Sequence, residues 1–187
     1  MKQELHIFGD PILREKSKPV ETVDDAIRAL AKDLIQTMRA ERGVGLAAQQ
    51  IGRTEAICVV EVPVESDLDD QRQRINPDVK MPLVLINPEI IRASKKTASA
   101  DEGCLSFPGI YAPVRRPVEV TVRFLDLDGQ PRELTLRQFI ARAVQHEMDH
   151  LAGVLLVDRM SAVKRIALAG QLKRMRLETQ SALAAAS

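Results

Sequence analysis

The sequence predicts an α+β fold in a single domain over residues 1–187: mostly antiparallel β-sheets packed around a central buried helix, with a further helix at the C-terminus. Three observations carry this. Apolar residues recur at three-and-four spacing in segments near both ends, as on the buried stripe of a helix. The middle of the chain holds short runs rich in Val and Ile and one run of strict alternation, as strands require. One late helical segment is apolar around an unusually wide arc, which places it inside the protein.

The first helix is expected over Val23 to Arg42, with Val23, Ile27, Leu30, Leu34 and Met38 on one face. Thr22 is the expected N-cap, Asp24 and Asp25 place negative charge beside the first turn, and Gly43 supplies the stop. Ala56 to Val62 and Leu83 to Ile86 read as buried strands, and Pro63 closes the first because it cannot donate to a ladder. Between them, residues 65–80 read as a solvated loop. Val118, Val120, Val122 and Phe124 alternate with polar residues, and Asp128–Gly129 offers a turn before Glu133 to Leu136, so this stretch reads as a β-hairpin. The wide-arc helix runs from Arg137 to about Ala152, and a basic helix with an Ala-rich, fraying tail runs from Ser161 to Leu183.

Composition narrows the function. With 27 Lys plus Arg against 26 Asp plus Glu, the formal charge of +1 lacks the basic excess that displaces counterions from nucleic acid, so nucleic acid is not the leading partner. At 45% hydrophobic residues, a chain this long buries roughly 70% of its unfolded surface, and a metal is not needed for folding. No run of 18 or more apolar residues occurs, and Met1 to Arg14 carries acidic residues and Pro11 without an apolar core. A cytoplasmic location is therefore expected. There the two cysteines, Cys58 and Cys104, are thiols or metal ligands rather than a bridge.

The buried helix contains residues that do not belong in a core. At about 100° per residue, His146, Glu147 and His150 share one arc of its surface. Two imidazoles at this spacing ligate one divalent metal, and the intervening carboxylate lies near the open position, suited to a proton-shuttling base. The bland alternative, a solvated helix face, conflicts with the apolar arc. A third ligand is required. Beyond His150 stand only the acids Asp158 and Glu178, while upstream Cys104 follows Gly103 in a short segment before Pro108. A small buried hydrophobe is the usual fate of a free cysteine, and Cys58, within Ile57 to Val60, fits that fate better than Cys104 does. His6, in the N-terminal arm, is expected to be structural or exposed. A third segment, Gly43 to Gln50, combines spaced glycines with terminal amides; the glycines allow close approach by an extended ligand, and Gln50 can donate to an oxyanion.

GVGLAAQQ at 43–50, EGCLS at 102–106 and HEMDH at 146–150 resemble, in order and spacing, the three signature motifs of peptide deformylases. The likeness extends to Gly9–Arg14 and Leu151–Arg159 and is weakest in the 65–80 loop. It implies removal of the N-formyl group from the formylmethionine of nascent polypeptides by one divalent metal ion, iron in the cell and replaceable by zinc, nickel or cobalt. By motif, Cys104, His146 and His150 would be the ligands. Glu147 would be the general acid/base for a metal-activated hydroxide attacking the formyl carbon, and Gln50 with the backbone N–H of Leu105 would hold the oxyanion. Gly45 would meet the substrate backbone, Phe139 and Ala143 would line the methionine pocket, and Glu102 would pair with Arg116, Arg115 being a neighbouring alternative. Arg142 fits that pocket poorly unless its charge turns outward. The competing readings are a zinc endopeptidase using the same helix and a non-catalytic module folded around a closed metal site. The basic C-terminal helix is either a solvated face or a contact with the ribosome.

Overall fold

The computed structural model describes residues 1–186. Helix α1 (Asp25–Ala40) precedes strands β1 (Gly45–Ala47), β2 (Ile57–Val60), β3 (Leu83–Ala93), β4 (Thr97–Gly103), β5 (Tyr111–Pro117), β6 (Glu119–Leu125) and β7 (Pro131–Arg137). Helices α2 (Gln138–Leu151), α3 (Leu156–Arg159), α4 (Ala162–Ala167) and α5 (Ala169–Ala186) follow. The strands form an antiparallel five-stranded sheet in the order β1-β2-β3-β6-β7 and a separate antiparallel ribbon, β4-β5. This is the expected α+β architecture, with α2 packed against β1, β2 and β7 of the sheet and β5 of the ribbon.

β2 shows why a short run here is apolar throughout. Cys58 and Val60 enter the core shared with α2, whereas Ile57 and Val59 enter the core shared with α1, so neither face is wet. Cys58 is thus a core residue, as expected. A third core joins Phe107, Ile110 and Val114 of the ribbon region to Leu155, Leu156 and Leu172. The β6-β7 hairpin also forms as expected, turning at Gly129 with φ +73°.

Several local expectations are corrected. Asp24, not Thr22, caps α1: its carboxylate accepts from the Ile27 N–H at 3.0 Å and sets its charge on the helix N-terminus. The 65–80 loop is not simply solvated, because Asp67 and Asn76 are buried. Asp67 accepts from Arg74 Nε at 2.6 Å, and Asn76 Oδ1 accepts from the Arg137 N–H at 2.8 Å, which staples the loop to the start of α2. The C-terminal helix is interrupted at Leu168, two residues before Gly170, a poor helix former.

Candidate functional site

α2 presents His146, Glu147 and His150 from its buried face, and the four-residue spacing sets the two imidazoles edge to face with ring centroids 5.2 Å apart. Cys104 lies just past the end of β4, in a turn closed by the Phe107 N–H donating to the Cys104 carbonyl at 2.9 Å. Its Sγ stands 3.2 Å from His150 Nε2, and ligating atoms of Cys104, His146 and His150 all lie within 4.8 Å of one another. Donors bound at ordinary Zn–N and Zn–S lengths around one tetrahedral ion are about 3.5 Å apart, so the residues fit a single cation. The cluster also has buried polar atoms without a protein partner, Glu147 Oε2 and His150 Nδ1.

Burial lifts the Glu147 carboxyl to about 7, against the opposing pull of the His146 and Arg116 charges. A cation beside it would draw that value down again. Gly45 explains how so large a group fits: a Cβ there would sit 2.7 Å from Glu147 Cδ. The glycine that the sequence suggested for a ligand therefore makes room for the carboxylate itself.

Gln50 is buried, and its side-chain oxygen accepts from the Ala47 N–H at 2.9 Å. That bond turns the amide nitrogen toward the Cys104 segment, where Nε2 lies 3.2 Å from Ser106 Oγ and 3.6 Å from Cys104 Sγ. Leu105 follows the cysteine directly, packing toward Gly43, where an added Cβ would come 2.7 Å from Leu105 Cδ1.

Glu102 and Arg116 form a buried fork–fork pair, Nε to Oε1 at 2.7 Å and Nη2 to Oε2 at 2.8 Å. His146 Nδ1 lies 3.0 Å from Glu102 Oε2, which orients the imidazole. Burial pushes the Glu102 carboxyl upward, but the Arg116 and His146 hydrogen bonds outweigh it and hold it at about 2. His146 is raised, although burial opposes it, through hydrogen bonds to Cys104 and Glu102. His150 is lowered, first by burial and then by the His146 and Arg116 charges.

Arg142 turns to Glu102, with Nη1 2.7 Å from Oε1, and thereby escapes an apolar environment. Ala143 and Phe139, three and seven residues before His146, share its helix face; Ala143 is buried and Phe139 is 37% exposed. His6 is partly buried, its Nδ1 2.6 Å from Asp10 Oδ2, in keeping with a structural role. Sequence reasoning gave no role to Ser106 or to Asp149, whose carboxylate bridges Arg116 Nη1 at 2.8 Å and Arg159 Nε at 2.9 Å. A charge inside a core-facing helix was the available signal for Asp149.

A thiol and two helical imidazoles around one point, beside a buried carboxylate with one unpartnered oxygen, define a metal-dependent hydrolase built on an α+β scaffold. Comparison with known proteins narrows the class. Residues 2–166 match the family model described as polypeptide deformylase. A peptide deformylase of Picosynechococcus sp. is 43% identical over 171 residues, covering 91% of this chain and 84% of that protein. The crystal structure of a Synechococcus elongatus peptide deformylase in complex with actinonin is similar with a TM-score of 0.79 at 38% identity, covering 92% of this chain and 85% of that one. That of a Legionella pneumophila peptide deformylase gives 0.78 at 36% identity, covering 98% of both chains. The chain belongs to the polypeptide deformylase family. It is a metal-dependent hydrolase that removes the N-formyl group from formylated nascent polypeptides. The endopeptidase and binding-module alternatives are not favoured.

Proposed function

We propose that Cys104, His146 and His150 hold the divalent cation on which deformylation depends, with Glu147 as general acid/base and residues 1–187 acting as one catalytic domain. The observation that carries this is the convergence of the three donor groups within 4.8 Å beside the unpartnered Glu147 Oε2. When bound, the cation supplies Lewis-acid activation of water and of the formyl oxygen. Glu147 takes the proton released as water adds to the formyl carbon and returns it to the departing amine, leaving formate and a free N-terminus. Gln50 Nε2 and the Leu105 N–H receive the oxyanion; the bond from Ala47 to Gln50 Oε1 fixes the amide before reaction. β1 is an edge strand, so an extended peptide can lie along it at Gly45, with its methionine side chain toward Ala143 and Phe139. Glu102 and Arg116 orient His146.

We infer iron as the cellular metal, with zinc, nickel or cobalt as replacements, and a cytoplasmic location. A sulfur donor makes the cation a softer Lewis acid than a carboxylate donor would, which suits an unhindered formamide carbon. A ferrous ion beside a thiolate is oxygen-sensitive, so activity is expected to decay faster in air than under anaerobic conditions; equal decay would overturn iron. Metal analysis of anaerobically purified protein, paired with formate release from a formylmethionyl peptide, tests the whole reading. Cys104→Ala is expected to deplete the metal, and full retention would exclude Cys104 as a ligand.

Ribosome contact through the basic C-terminal helix is also proposed, supported by the exposed Lys173, Arg174 and Arg176 of α5. Because Leu172 of the same helix belongs to a core, reversal of these three charges is a cleaner test than truncation. Salt-sensitive cosedimentation with ribosomes is expected to disappear in the reversed variant, and its persistence would sink the proposal.

A further inference from the structure

Arg116 satisfies one lone pair on each oxygen of Glu102 and also pairs with Asp149. A second guanidinium, Arg142, faces the same Glu102 carboxylate, its side chain only 11% exposed. Its other bonds indicate what it does. Nη1 donates to Glu102 Oε1 at 2.7 Å and to the Val114 carbonyl at 2.8 Å, while Nη2 donates to the Ala98 carbonyl at 2.8 Å. Val114 lies on β5 and Ala98 on β4, so one planar fork spans both strands of the ribbon from α2. Among the described residues, Arg142 is the α2 side chain that hydrogen-bonds the backbone of β4. His146 stands one turn further along the same helix and contacts the other oxygen of the same carboxylate. Cys104 stands one residue past the end of β4.

We propose that Arg142 is a positioning residue for the metal centre, clamping the β4-β5 ribbon to α2 and so setting the distance between the Cys104 sulfur and the two imidazoles. The proposal rests on the reading of Cys104, His146 and His150 as ligands. Gln145 Nε2 also reaches β5, at the Pro117 carbonyl, 3.1 Å away, but its bonds do not reach β4, the strand that ends one residue before Cys104.

The test compares parent, Arg142→Met and Arg142→Lys proteins loaded with cobalt, measuring affinity by chelator competition, visible absorption and thermal melting. Arg142→Met is expected to bind cobalt 10- to 100-fold more weakly, as for loss of an outer-shell partner, with an altered absorption spectrum. Lysine keeps the charge but cannot span three acceptors, so its affinity should fall between the other two. Affinity within twofold of the parent together with a superimposable spectrum in folded Arg142→Met protein would overturn the proposal, whatever happens to the melting temperature. If the Met variant does not fold, Arg142→Lys carries the test by the same criterion. Cys104→Ala run in parallel separates the two levels: undiminished metal affinity there defeats the ligand reading itself, whereas metal loss there with parental affinity in Arg142→Met defeats only the positioning role.

Discussion

Glu147 is a carboxyl group that burial, outweighing the His146 and Arg116 charges, raises to about 7, with one oxygen lacking a protein partner. Its proposed work is proton transfer, so Glu147→Ala is expected to lower kcat on the order of 100-fold or more with metal content unchanged by elemental analysis. Accompanying metal loss would make it a ligand instead. Gln50→Ala is expected to lower kcat on the order of 100- to 1,000-fold, as for one oxyanion donor, and an unchanged rate would leave Gln50 a purely structural amide. Gly45→Ala tests the packing described at β1. The strand is held by its ladder to β2, so the added methyl must displace Glu147 rather than the backbone. A fall in kcat of at least about tenfold with native circular dichroism is expected, by analogy with the sensitivity of catalysis to small misplacements; parental kcat would show that the carboxylate relaxes freely. At this scale the sequence was most informative where a residue was chemically out of place, as with His146, Glu147 and His150. It flagged Arg142 as a misfit without giving its partners and was silent on Asp149, because those partners lie on other segments and one-dimensional spacing cannot supply them.

Elements with one dominant period were legible: α1, α2 and the β6-β7 hairpin follow from apolar spacing and a Gly turn. The β4-β5 ribbon did not announce itself. β4 carries almost no apolar residues, and the inward row of β5, Ala112, Val114 and Arg116, contains the very charge that pairs with Glu102. A buried ion pair thus erased the strand's pattern. The short helix α3 shows how electrostatics holds an element. Asp158 accepts from the Leu155 N–H at 2.8 Å and pairs with both terminal nitrogens of Arg14. Burial raises its carboxyl, but the Arg14 hydrogen bonds and the Leu155 N–H prevail and hold it below the ordinary 3.8. A depressed carboxyl stabilises above the ordinary value and loses that contribution as pH falls through the folded-state value. Asp158→Asn is therefore expected to destabilise by at most about 1 kcal/mol at pH 7, the side chains being partly exposed. The gap should narrow at pH 3 in denaturant melts; a constant gap would assign the effect to shape rather than charge.

Three separate hydrophobic cores enclose the site, and none of them depends on a cation for its contacts. Chelation is expected to abolish formate release yet leave a cooperative thermal transition, lowered only by the lost binding energy. Disappearance of that transition would mean that the metal is structural. The match to the family model ends at residue 166, just ahead of the break at Leu168. The sulfur and the more distant imidazole are 46 residues apart in sequence, on a strand terminus and a helix that meet only through tertiary docking. With the proposed ligand set, a growing or half-folded chain is expected to offer a passing ion no complete pocket, so that cation capture comes last in maturation. Stopped-flow refolding in the presence of cobalt should then show the thiolate absorption rising after, never before, the burial of the ribbon against its helix.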